Sequence, residues 1–353
     1  MDNWHIDGHK LHLHPARVAQ WLEADTWEKA KHVYPLYWEI TTAAACNHRC
    51  TFCSVDAIGY PPDLLEQGNL IARMQEAATL GIKSVMFAGT GEPLVHKQIS
   101  AITLGAIEAG LDVAFTTNGV LLDKLEPLDK CTWVKISMNA GRRDTYAKVH
   151  RTKEQDWDKV WSAIKNAVPR KADCTLGIQC VVLPENVYEM RELAAMSKDA
   201  GVDYLVLKPY TQATFMLSHH YENVDYSAMR EELASVKEFE SKTFKVIHRA
   251  TAIAEEIDKK HRYNICRATP NFWVYAMGNG DIFTCSAHLM DKRFRIGNIN
   301  EQSFQEIWEG EKRRENWEMM QSFNISQCRL NCRMNGPNKY LHELKTAAHV
   351  NFI

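Results

Sequence analysis

The sequence predicts an α/β protein with parallel strands, and two observations carry that reading. Short runs of apolar, β-branched and aromatic residues recur along the chain. Between them lie stretches with apolar residues at 3.6-residue spacing that finish on Gly, a common signal for a helix C-terminus. Strand and helix therefore alternate, which is the order of parallel βα units in either an open doubly wound sheet or a barrel. Both arrangements place functional residues at the C-terminal ends of the strands.

Six strands are expected: "LYWEITT" near 36–42, "KSVMFAG" at 83–89, "DVAFTTN" at 112–118, "TWVKISMN" at 132–139, "LGIQCVVL" at 176–183 and "DYLVLKPY" at 203–210. "LIARMQEAATLG", "ISAITLGAIEAG" and "VYEMRELAAMSKDAG" are the clearest intervening helices. Before the first strand, "DGHKLHLH" and "PARVAQWLEADTWEKA" read as a hairpin and a helix forming a cap over 1–35. The βα region runs over 36–243. Beyond it, "FKVIHRA" leads into an irregular region with Gly278, Gly280, Gly297, four cysteines and the helical "SFQEIWEGEKRRENWEMMQSF", expected as a smaller C-terminal domain over 244–353.

With 353 residues the chain is long enough for two domains. A net charge of −2, with basic residues spread along the chain, gives no electrostatic footprint for nucleic acid or membrane and points to a small or neutral substrate. No signal segment opens the chain and no apolar run approaches the roughly 20 residues of a membrane span, so a cytoplasmic protein is expected. In a reducing cytosol, ten cysteines point to metal or redox chemistry in place of a disulfide framework.

Cys46, Cys50 and Cys53 form C-x3-C-x2-C just after the first strand. Thiolates select zinc, copper(I) or iron–sulfur clusters. A zinc site would need a fourth ligand, for which His48 is the nearest candidate, although two residues from Cys46 in a tight loop is a poor position from which to share a metal. Three thiolates on a 4Fe-4S cluster would instead leave one iron open.

This motif, with Phe52 before its last cysteine, resembles the radical S-adenosylmethionine (SAM) superfamily. The resemblance implies a partial (β/α)6 TIM-like barrel in which SAM chelates the open iron and yields a 5′-deoxyadenosyl radical. It extends further. "AGTGEPL" is similar to the family's Gly-Gly-Glu-Pro segment, implying that Gly89, Thr90, Gly91 and Glu92 meet the SAM amino group. Asn118, in "TTNG" after the third strand, joins the cofactor-facing set. "KISMNAG" resembles the fourth-strand Ser-x-Asp segment, with Ser137 and Asn139 on one face of the strand, toward the SAM ribose and carboxylate. Arg151 stands where relatives carry a carboxylate-binding arginine, and Gln179 and Lys208 occupy inward-facing, cofactor-proximal positions. Tyr210 and Gln212, beyond the sixth strand, are expected substrate contacts.

Cys266, Cys285, Cys328 and Cys332, with Gly280 in the spacing C-x13-G-x4-C and a later C-x3-C, resemble the SPASM/Twitch auxiliary-cluster domains of that superfamily. Four thiolates imply one complete 4Fe-4S site, with a four-cysteine zinc as the alternative. The cofactors implied are two 4Fe-4S clusters and SAM, and the partners a small-molecule substrate and a reductant such as flavodoxin or ferredoxin. Cys131, Cys174 and Cys180 read as small buried hydrophobes, and Cys180 faces the helices if Gln179 faces inward. His219 and His220 read as a solvated loop.

The leading expectation is hydrogen abstraction from a small polyhydroxylated molecule, a sugar, aminosugar, cyclitol or nucleoside, giving epimerisation, oxidation or dehydration. A peptide or protein maturase is the alternative. Only 45 residues precede Cys46, which speaks against a leader-peptide-binding domain, and the cysteine count falls short of the sulfatase-maturing type. A non-catalytic iron–sulfur or zinc scaffold is the third possibility.

Overall fold

The computed structural model describes residues 5–352, so the first four residues of the expected cap and Ile353 lie outside it. Among the described residues ten strands form one sheet: β1 (Tyr37–Ile40), β2 (Ser84–Phe87), β3 (Asp112–Thr117), β4 (Trp133–Ser137), β5 (Thr175–Val182), β6 (Tyr204–Pro209), β7 (Lys245–His248), β8 (Trp273–Ala276), β9 (Asp281–Phe283) and β10 (Arg295–Asn298). Their order is β10-β9-β8-β1-β2-β3-β4-β5-β6-β7. From β1 to β7 each strand lies parallel to its predecessor. Sequential order with right-handed crossovers puts the connecting helices on one face, which decides for the barrel-like arrangement over the doubly wound sheet.

The helices are α1 (Pro15–Glu23), α2 (Trp27–Ala30), α3 (Gln67–Thr79), α4 (Ile99–Glu108), α5 (Arg143–His150), α6 (Glu154–Ala167), α7 (Met190–Ala200), α8 (Arg230–Ser235), α9 (Ala250–Asp258), α10 (Phe304–Trp308), α11 (Glu311–Met320) and α12 (Asn335–Thr346). The glycines expected to stop three of them, Gly81, Gly110 and Gly201, all have positive φ. Alternation along the strands divides the sheet into two faces. Trp38, Ile40, Phe87, Phe115, Ile136 and Ile178 are buried in one core with Leu70, Met74, Ile102, Val160 and Leu193 of the helices. Each such side chain contributes about 1.5–3 kcal/mol by leaving water. The opposite face carries Tyr37, Lys135, Ser137, Gln179 and Lys208 and lines a lumen of about 810 Å³.

In three places the structure adds to or departs from the expectations. "DGHKLHLH" forms no hairpin; Leu11–Leu13 is a 3₁₀ turn that buries Leu11 with Val18 and Trp21, because among the described residues no strand is present to pair with it. His9, Leu11 and His14 line the lumen beside the N-terminal strand ends. Second, strand pairing crosses the expected boundary at 243: β7 joins β6, and β8 lies parallel to β1. Third, the helix expected over "SFQEIWEGEKRRENWEMMQSF" breaks at Gly310 into α10 and α11. Buried Arg313 donates to the carbonyls of Trp308, Pro270, Ala30 and Lys31 and so ties α11 to the N-terminal segment.

The sheet is not closed by hydrogen bonds between β7 and β8. Arg329, Asn331, Arg333, Met334 and Pro337 line the lumen between α9 and β1. Arg333 pairs with Glu39 on β1 at 2.9 Å, and Asn331 donates to the Ala252 carbonyl of α9 at 2.8 Å. This segment forms the seam of the partial barrel.

Candidate active site

The loop carrying Cys46, Cys50 and Cys53 leaves β1 and docks on the end of α5. Arg49 N–H donates to His150 O and Thr51 N–H to Val149 O, so carbonyls orphaned at the helix C-terminus orient the loop. Arg49 braces it further by donating to the carbonyls of Cys46 and His48. Burial pushes the Cys46 thiol up to about 11 and raises Cys50 and Cys53 as well. Three buried thiols held together favour a cation that replaces their protons.

Each sulfur also faces a hydrogen-bond donor. Cys46 Sγ accepts from the His48 backbone N–H at 3.4 Å, with Asn118 Nδ2 at 4.0 Å. The Tyr60 hydroxyl faces Cys53 and lowers its thiol against the effect of burial, and the Tyr60 ring lies 3.8 Å from the Arg49 guanidinium. Cys50 Sγ lies 3.3 Å from His150 Nδ1. His150 Nε2 is met by the Asn139 backbone N–H at 3.3 Å, which can only donate. Nε2 is therefore the acceptor, and Nδ1 carries the proton that points at Cys50. Donors aimed at each of three sulfurs are what thiolate ligands of a cluster require. The ring nitrogens of His48 and His150 come within 4.8 Å of one another and of Cys50 Sγ. With both nitrogens of His150 engaged, the cluster fits this site better than a zinc bound through that trio.

"AGTGEPL" serves as a frame. Gly89 has φ +102°, and a Cβ there would lie 2.1 Å from Thr41 Oγ1; one on Gly91 would lie 1.9 Å from Ala43 O. Glu92 is buried, its carboxylate accepting from Thr117 Oγ1 at 2.6 Å, the Asn118 N–H at 2.7 Å and the Leu94 N–H at 3.1 Å. Burial raises its pKa to about 7 against the pull of those donors. Its own N–H donates to Ala45 O, so it ties the ends of β2 and β3 to the cysteine loop. Asn118 continues the tie through Nδ2 to Asn47 at 2.6 Å.

Of the expected cofactor-facing residues, Phe52, Ser137, Asn139, Gln179 and Lys208 line the lumen, whereas Gly89 to Glu92, Asn118 and Arg151 do not. Arg151 is exposed and caps α5 in the left-handed region, φ 46°. The Asn139 amide is engaged by the Val181 N–H at 2.6 Å and by His150. Tyr210 lines the lumen and donates to Gln212 Oε1 at 2.6 Å; Gln212 lines a neighbouring cavity of about 180 Å³. His219 and His220 are exposed, and Cys180 is buried on the helix side with Met190. Tyr60 and His150 escaped the sequence reading because neither belongs to a motif; only the fold brings them to the sulfurs.

The second set is gathered too. Cys266 and Cys285 are raised by burial and by the neighbouring thiols, Cys285 to about 12, and Cys328 is raised first by its bond to Cys332 and then by burial. Cys328 S–H donates to Cys332, which is lowered by that bond. Asn338 Nδ2 lies 3.2 Å from Cys266 Sγ.

Comparison with known proteins completes the picture. Residues 40–196 match the family model of the radical SAM superfamily, and residues 251–333 match that of the SPASM iron–sulfur cluster-binding domain. The chain is a radical SAM protein with a SPASM domain. These domains imply SAM and 4Fe-4S clusters as its cofactors. The radical SAM chain is 30% identical over 173 residues to a GTP 3′,8-cyclase of Microcystis aeruginosa, covering 46% of this chain and 52% of that protein. It is 27% identical over 296 residues to an AdoMet-dependent heme synthase of Methanosarcina barkeri, covering 77% and 81%. The first relative is thus matched over about half its length. Among solved structures, Streptococcus suis SuiB bound to its precursor peptide SuiA superposes with a TM-score of 0.67 at 18% identity, over 96% of this chain and 78% of that one, a likeness of fold. No helix of the described residues is long and apolar enough to cross a membrane.

Proposed function

We propose that the protein is a radical SAM enzyme that removes a hydrogen atom from a small substrate held in the barrel lumen. The observation that carries this reading is the gathering of Cys46, Cys50 and Cys53, each sulfur facing a donor, where Phe52 and Ser54 line the lumen. When bound there, a four-iron cluster and SAM, given one electron by a reductant of the flavodoxin or ferredoxin type, supply methionine and a 5′-deoxyadenosyl radical that abstracts hydrogen.

The chain's own residues hold and position. The three cysteines would hold the metal cluster, the 89–92 frame keeps their loop against β2 and β3, and Ser137 and Gln179 offer polar contacts along the lumen wall. A volume of about 810 Å³ lies within the range of small-molecule sites, roughly 300–1,000 Å³. Epimerisation, oxidation and dehydration all begin with the same abstraction. The relatives' names, a GTP cyclase and a heme synthase, widen the candidate substrates beyond sugars, aminosugars, cyclitols and nucleosides.

The test is 5′-deoxyadenosine formation by the anaerobically reconstituted chain with SAM and dithionite. Replacing Cys46, Cys50 and Cys53 together by Ala is expected to abolish it. Undiminished SAM cleavage in that variant would end the reading.

A further inference from the structure

The lumen is strongly and asymmetrically charged. Its lining carries seven lysines and arginines, Lys10, Lys83, Lys135, Lys208, Arg249, Arg329 and Arg333, against one acid, Asp112. Five of the seven come from β4, β6, the end of β7 and the seam. Arg333 is neutralised by Glu39 at 2.9 Å, and Arg249 lies 3.6 Å from Asp7. Among the described residues Lys135, Lys208 and Arg329 have no ion-pair partner. Lys135 rests against the Trp133 ring at 5.3 Å. Burial, then Lys208 and the arginines, holds the Lys135 ammonium well below its usual range; burial and Arg249 bring Lys208 down to about 7. Glu39 faces both lysines but is already paired with Arg333, so the cationic lining outnumbers its carboxylates; in a partly desolvated cavity that excess is costly, and a bound anion removes the cost.

SAM does not supply the missing charge. It carries a sulfonium, an ammonium and one carboxylate, a net positive charge, so binding it deepens the imbalance. Lys135 also lies two residues before Ser137, toward the N-terminal side of the strand and away from the cysteine loop.

We infer that the substrate bears a compact multivalent anionic group, a phosphate ester or a polycarboxylate, seated in the lumen between Lys135, Lys208, Arg249 and Arg329. This rests on the radical SAM reading and narrows its substrate class. A net charge near zero conceals the site because the acids that balance the chain lie elsewhere.

The experiment uses the full chain with reconstituted clusters and SAM, titrated calorimetrically with pyrophosphate and, separately, with citrate. Saturable binding of either is expected, weakened at least ten-fold by Lys135→Met and by Lys208→Met, with iron content and circular dichroism showing that the variants fold and load. Preference for pyrophosphate assigns a phosphate ester; preference for citrate assigns a polycarboxylate. Failure of the wild-type chain to bind either anion, or variants that bind as tightly as wild type, overturns the inference. Dithionite-driven 5′-deoxyadenosine formation by the same wild-type preparation keeps the two questions apart: cleavage without anion binding sinks only the anion site, and absent cleavage sinks the underlying reading.

Discussion

His150 joins a buried backbone amide to a ligand thiol: Asn139 N–H on one ring nitrogen, Cys50 Sγ on the other. Stacking on Tyr146, with ring centroids 4.2 Å apart, holds the imidazole in that orientation. A donor to a thiolate stabilises the more negative, reduced cluster, and hydrogen bonds to sulfur are among the determinants of cluster potential. Hydrogen bonds to charged groups contribute about 1.5–3 kcal/mol, of which only the part that differs between redox states acts here. His150→Phe keeps a flat ring against Tyr146 and removes the donor. Redox titration followed by electron paramagnetic resonance should show the SAM-responsive cluster at a more negative potential, with iron content preserved; an unchanged potential would deny the bond any tuning role.

At the scale of elements, the seam carries two duties. Cys328 and Cys332 belong to the auxiliary thiol set, while Arg329, Asn331 and Arg333 between and beside them line the lumen. Metal bound by the thiols would therefore order a stretch of lumen wall, since ligation fixes the loop that bears the ligands. Replacing Cys328 and Cys332 together by Ala should raise hydrogen exchange over 328–337 by at least ten-fold and leave β2 to β5 protected. Equal exchange in the variant and the wild-type chain would mean that Asn331 and Arg333 hold the seam without help. "CRLNCRMNGPNKYL" is legible as a cysteine module, but nothing in it tells that the same turn closes a barrel against Glu39 of β1, 294 residues away.

Over the whole molecule, two thiol sets, three and four in number, predict about eight irons and eight sulfides per chain after anaerobic reconstitution. Four irons accompanied by one zinc would instead assign the C-terminal set to a structural metal. The two sets belong to one framework, because β8 of the SPASM region lies beside β1 and Arg313 of α11 reaches carbonyls of the N-terminal segment.

The amino-acid sequence by itself determined the six strands, the helices ending at Gly81, Gly110 and Gly201, the three-cysteine loop and the four-cysteine set. These are local properties: periodicity, turn chemistry and ligand spacing act over a few residues. Tertiary structure decided the rest. It made "AGTGEPL" a frame whose Glu92 carboxylate is already bonded, placed Arg151 outside the lumen, brought Tyr60 and His150 to the sulfurs, and collected lysines and arginines from β4, β6, β7 and the seam into one cavity. Charges dispersed along a chain cancel in a sum; only folding shows which of them face each other across a space that a substrate can fill.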